Sequence, residues 1–72
     1  MRRGDSGAEV KTLQQSLKTI GYDPGPIDGS YGATTETAVA QFQQAQGLPP
    51  DGVVGEKTAA ALNEELAKKS GV

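Results

Sequence analysis

The sequence predicts an all-α fold, a small three-helix bundle whose helices are joined by two Gly/Pro-rich turn segments. Apolar residues recur at helical spacing in three stretches. The 10 glycines and 4 prolines cluster between those stretches rather than inside them. Length adds a third constraint, because 72 residues hold one domain and no second folded unit. The domain is read as 1–72, with its core over about 4–66 and a frayed tail at 69–72.

The first helix is expected from about Gly7 to Ile20, with Val10, Leu13, Leu17 and Ile20 on one stripe. Ser6 and Glu9 have the S-x-x-E spacing of a capping box. Gly21 follows as a left-handed stop. Segment 22–32, rich in Pro, Gly and Asp, forbids a helix and leaves little room for a strand. The second helix covers about Ala33 to Gln46, with Thr35, Ala38, Val39, Phe42 and Ala45 facing inward, and Gly47 ends it. After the second turn segment, 48–52, the third helix runs from about Glu56 to Lys68 and buries Thr58, Ala59, Leu62 and Leu66. Lys68 and Lys69 complement its dipole.

Composition excludes whole classes of chemistry. Hydrophobic residues make up 35% of the chain, yet nine of them are alanine, so the core is small. The net charge of −2 is too low for the disorder signature and carries the wrong sign for a nucleic-acid surface. Without cysteine there is no disulfide framework, thiolate zinc site or thiol nucleophile. Without histidine the usual general base and the commonest metal ligand are missing. No metal and no cofactor are expected. No apolar run approaches the roughly 18–20 residues of a membrane span, so no membrane partner is expected. No signal-peptide core follows Met1, so an exported version would carry its signal elsewhere.

Placing Asp28–Val39 over Asp51–Leu62, an offset of 23, reveals the internal pattern D-G-x-x-G-x-x-T-x-x-A-[V/L]. Gly29 and Gly52 supply a positive φ after the Asp, and Gly32 and Gly55 are expected to let a helix start close to another backbone. Asp28 and Asp51 accept amides of their own turns. Thr35 and Thr58 fall where a hydroxyl reaches back toward the loop. Gln14 and Gln43 follow core residues and are read as hydrogen-bonding loop backbone. An Asp-Gly duplication raises the question of calcium, but the spacing fails. With Asp28 at loop position five, positions one, three and twelve are Pro24, Pro26 and Thr35. For Asp51 they are Gly47, Pro49 and Thr58.

The ordered set of motifs resembles the three-helix peptidoglycan-binding domain of bacterial cell-wall hydrolases and phage lysins. The matching residues are Gly4–Val10, Leu13-Gln14, Leu17, Gly21-Tyr22, Asp28–Gly32, Thr35, Ala38-Val39, Phe42-Gln43, Gly47-Leu48, Asp51–Gly55, Thr58 and Leu62. Met1 stands near where that family often opens with an apolar residue. The helical fold also resembles the prodomain of matrix metalloproteinases, whose zinc-plugging cysteine this chain lacks.

The resemblance implies non-catalytic binding of peptidoglycan, through glycan or stem peptide, by a monomer that targets a linked hydrolase to the cell envelope. The competing class is a protein-interaction, spacer or autoinhibitory module. A catalytic role finds no support, because the carboxylates fall at helix starts and on exposed faces. Sugar sites present aromatic faces, and with Phe42 assigned to the core only Tyr22 and Tyr31 are left to stack, Tyr31 with its ring expected half in the core because the register sets it over Val54. The candidate contact surface is therefore Tyr22, Asp23, Tyr31, Gln41 and Gln44. The structural set is Asp28, Gly29, Gly32, Thr35, Asp51, Gly52, Gly55 and Thr58.

Overall fold

A computed structural model of the chain describes residues 1–70. Three helices follow in order: α1 Ala8–Thr19, α2 Ala33–Ala45 and α3 Glu56–Ser70. α1 packs against both α2 and α3. The core between them is Val10, Leu13, Leu17, Tyr31, Ala38, Val39, Phe42 and Leu62, with Ile20, Val54, Ala61 and Leu66 half-buried around it. The apolar stripe of each helix thus meets the others, and that burial holds the short helices, which would be marginal alone.

Both loops leave their helix in the same way. Gly21 follows α1 with φ 101°, its N–H donating to Lys18 O (3.2 Å) while Tyr22 N–H donates to Leu17 O (2.8 Å). Gly47 follows α2 with φ 76°, and the matching bonds are Gly47 N–H to Gln44 O (3.1 Å) and Leu48 N–H to Gln43 O (2.8 Å). This double bond across the last turn satisfies carbonyls that a helix end leaves unpaired.

The N-terminal segment laces the two loops together. Gly4 N–H donates to Tyr31 O and Tyr31 N–H to Asp5 O, at 3.0 and 2.9 Å. Ser6 and Ser30 form an isolated antiparallel bridge. Met1 exchanges backbone bonds with Val54, its ammonium donating to Val54 O at 2.8 Å and Val54 N–H to Met1 O at 2.7 Å.

Four expectations from the sequence need correction. α1 has Gly7, not Ser6, at its N-cap and no side-chain cap, because the backbone at Ser6 lies in the antiparallel bridge to Ser30 and the helix starts one residue later. Ala45 is exposed rather than inward, since the chain turns away at the end of α2. A Cβ on Gly32 or Gly55 would meet nothing within 4 Å, so these glycines do not mediate a close approach. That role falls to Gly29 and Gly52. A Cβ on Gly29 would stand 3.1 Å from Gly7 O, and one on Gly52 2.6 Å from Glu36 Cγ. Lastly, α3 runs past its expected end at about Lys68 to Ser70; positions 71–72 lie outside the described residues.

Candidate functional site

The buried polar groups of the molecule form two matching nodes. In the first, Gln14 Nε2 donates to Asp28 Oδ1 (3.3 Å), Ser30 O (3.0 Å) and Thr35 Oγ1 (3.2 Å). Gln14 Oε1 accepts Gly29 N–H at 2.9 Å, and Asp28 Oδ1 accepts Ser30 N–H at 2.9 Å. In the second, Gln43 Nε2 donates to Asp51 Oδ1 (2.9 Å), Val53 O (2.8 Å) and Thr58 Oγ1 (3.0 Å). Gln43 Oε1 accepts Gly52 N–H at 2.9 Å, and Asp51 Oδ1 accepts Val53 N–H at 3.0 Å. Gln14 and Gln43 are 1% and 2% exposed. Burying a primary amide is costly unless its hydrogen bonds are made, and here each amide replaces water with its own loop.

These bonds explain the carboxylates. Asp28 titrates below the usual carboxylate value because Ser30 N–H and the Gln14 amide both donate to its charged form. Asp51 is lowered in the same way by Val53 N–H and Gln43. Both are turn braces.

Tyr31 joins the nodes. Its backbone lies in the first loop, and its hydroxyl donates to Gly52 O of the second at 2.5 Å. The side chain is only 2% exposed. Burial, followed by the charges of Glu36, Asp51 and Asp5, pushes its phenol up to about 12. Its assignment to the contact surface is therefore corrected, since a ring in the core offers no face to a sugar.

The other four contact candidates fall into two separate surface recesses. Tyr22 and Asp23 line one of about 430 Å³, together with Lys18, Gly21 and Gly25. Tyr22 is half-buried and packs edge-on against Phe42, with ring centroids 5.9 Å apart at 84°. Asp23 accepts Gly25 N–H at 3.0 Å. Gln41 and Gln44 are exposed and line a different recess of about 270 Å³, with Glu36 and Pro50.

Two further recesses sit against the nodes themselves. The one at the first node measures about 150 Å³ and includes Gln14, Pro24, Pro26, Ser30 and Thr35. The one at the second measures about 300 Å³ and includes Gln43, Pro49, Val53, Lys57 and Thr58. Sequence reading gave Asp51, Gly55 and Thr58 only a structural role and did not see this second recess. The 23-residue register, which also sets Pro26 over Pro49, was the available signal.

Among the described residues no carboxylate is buried and no group of three or more acidic residues could hold a metal ion. No described helix is long and apolar enough to cross a membrane. Fold and site together define a small helical module whose buried polar groups brace loops and whose surface is a set of shallow recesses.

The module has relatives. This chain belongs to the peptidoglycan binding domain family, which it matches over residues 6–62. It is 45% identical over 58 residues to the spore cortex-lytic enzyme of Bacillus cereus, a match covering 81% of this chain and 22% of that enzyme. The crystal structure of an L,D-transpeptidase from Xylanimonas cellulosilytica superposes with a TM-score of 0.86 at 49% identity, covering 90% of this chain and 32% of that one. The crystal structure of the SleB N-terminal domain gives a TM-score of 0.85 at 42% identity, covering 89% of this chain and 88% of that one. The chain thus spans about a fifth of the spore enzyme and nearly the whole of the SleB domain.

Proposed function

We propose that this chain is a non-catalytic module that binds bacterial peptidoglycan and holds a linked cell-wall hydrolase on its insoluble substrate. The observation that carries the proposal is the family match over residues 6–62, in a chain equivalent to one domain of larger cell-wall enzymes. The mechanism is effective concentration. A weak contact raises the local level of substrate for whatever is tethered to it, without chemistry of its own. Such a module works outside the cytoplasm, where the wall is, and as a monomer.

The shallow, mostly polar recesses suit a low-affinity contact. Tyr22 and Asp23 form one contact patch and Gln41 and Gln44 another. The test is co-sedimentation of the chain, fused to a fluorescent reporter, with purified sacculi, with chitin and cellulose as controls. Enrichment on sacculi alone is the expected result. Pelleting no greater than the reporter's, with helicity confirmed by circular dichroism, would remove the reading.

Gln41→Ala/Gln44→Ala changes two exposed side chains, so it is expected to leave the melting temperature unchanged while weakening sedimentation. Tyr22→Ala needs a folding control, because its edge contact with Phe42 is worth about 0.5–1.5 kcal/mol.

A further inference from the structure

The two nodes differ in how their threonine hydroxyl is used. Thr35 Oγ1 accepts from Gln14 and passes its own proton to Pro24 O at 2.9 Å. Pro24 is fully buried and lines the first recess, so a carbonyl of the chain itself takes up the threonine hydroxyl there. Thr58 Oγ1 accepts from Gln43 in the same manner, yet among the described residues it has no acceptor for its proton. It is 6% exposed and lines the second recess, which has twice the volume of the first.

Loop length explains the difference. Gln14 precedes Asp28 by 14 residues, whereas Gln43 precedes Asp51 by only 8. The position that corresponds to Pro24 is Gly47, which is spent on terminating α2. The second loop therefore has no residue to lay over its threonine.

Resting on the wall-binding reading, we infer that the second recess is a subsite for a peptide carbonyl, which accepts from Thr58 as Pro24 O accepts from Thr35. Leu48, Pro49 and Val53 give the recess apolar walls that suit a small side chain such as alanine next to that carbonyl. Asp51, Glu56 and Lys57 also line the recess, two carboxylates to one ammonium, so recognition rests on the hydroxyl and the walls rather than on attraction of an anion. No aromatic residue lines the recess, so it lacks the stacking face a pyranose uses. The ligand is thus the stem peptide of the wall and not its glycan strand.

The test is a ¹H–¹⁵N titration of the whole chain with free L-alanyl-γ-D-glutamyl-L-lysyl-D-alanine and, separately, with N-acetylchitotetraose. The peptide is expected to shift the amides of Val53, Gly55, Lys57 and Thr58, and the sugar to leave them in place. Thr58→Val is expected to weaken peptide binding about fivefold, the worth of one neutral hydrogen bond, and Thr58→Ser to restore it. Thr35→Val, if helical, is expected to bind like the parent. The mapping on the unmodified chain stands whether or not these variants fold.

Peptide shifts confined to the Tyr22 or Gln44 patches, a response to the sugar alone, or unchanged affinity in folded Thr58→Val would overturn the assignment. Each of these leaves wall binding standing if the unmodified chain still sediments with sacculi. Loss of that sedimentation would instead remove the reading on which the assignment rests.

Discussion

The loop after α1 and the loop after α2 make the same five bonds around a buried glutamine, but among the described residues only the first has a carbonyl of its own that accepts from the threonine hydroxyl. Pro24 O takes that bond, and the N-terminal segment bonds along both flanks of Tyr31. The second loop is shorter and keeps a threonine hydroxyl facing an open recess. One motif thus serves two ends. Where the connection is long it completes the fold, and where it is short it leaves a donor over for something else.

The strongest way to break this comparison is to remove the glutamines. Gln14→Leu is expected to cost about 3 kcal/mol, because Gly29 N–H and the loop oxygens are left without a partner beside the smaller recess. Gln43→Leu is expected to cost about 2 kcal/mol, since water entering the larger recess restores part of the bonding. Urea melts of the two variants measure the difference. Equal losses would mean that the difference in size between the two recesses carries no energy.

The threonines sharpen the same contrast. Thr35→Val deletes an accepted and a donated bond and is expected to cost about 2 kcal/mol, whereas Thr58→Val deletes one and costs about 1 kcal/mol. Tyr31→Phe removes the bond that ties the loops together and is expected to cost about 1 kcal/mol at neutral pH. Tyr31 also sets an alkaline limit. With its phenol at about 12 in the fold against 10.0 in the open chain, its stabilisation is complete below 10. That stabilisation is lost as the pH rises through the interval, and Tyr31→Phe is expected to flatten the alkaline limb of the melting curve.

The smallest effects belong to the turn carboxylates. Asp28 and Asp51 titrate below their ordinary value of 3.8 in the fold, so the unfolded chain takes up protons first as the pH falls. Their contribution is present above that value and disappears as the pH drops through the folded values. Asp28→Asn and Asp51→Asn keep the Oδ1 acceptor but not its charge, so each is expected to flatten the acid limb of a pH–stability profile and to lower the neutral plateau slightly. Similar slopes for the two would show that the braces are alike even though the recesses are not.

Much of this was legible in the chain. The stripe of Val10, Leu13 and Leu17, the turn glycines and the 23-residue register name three helices and two loops, because helical spacing and positive φ are local properties. The roles of Gln14 and Gln43 were also within reach, since each directly follows a core residue. Tyr31 was legible only in part. The register over Val54 points its ring half into the core, but the carbonyl that fixes it there belongs to Gly52, 21 residues away. The capping box failed for a similar reason: Ser6 meets its spacing rule, but pairing with Ser30 claims it first.

By itself the sequence determined the three helices, the glycine stops after α1 and α2, the turn chemistry and the family, all of which rest on interactions within a few residues or on motif order. Only the tertiary structure decided which threonine hydroxyl the chain itself satisfies. That outcome depends on whether a loop is long enough to lay a carbonyl over a threonine from the next helix. Pro24 reaches Thr35, and the shorter second loop brings nothing to Thr58.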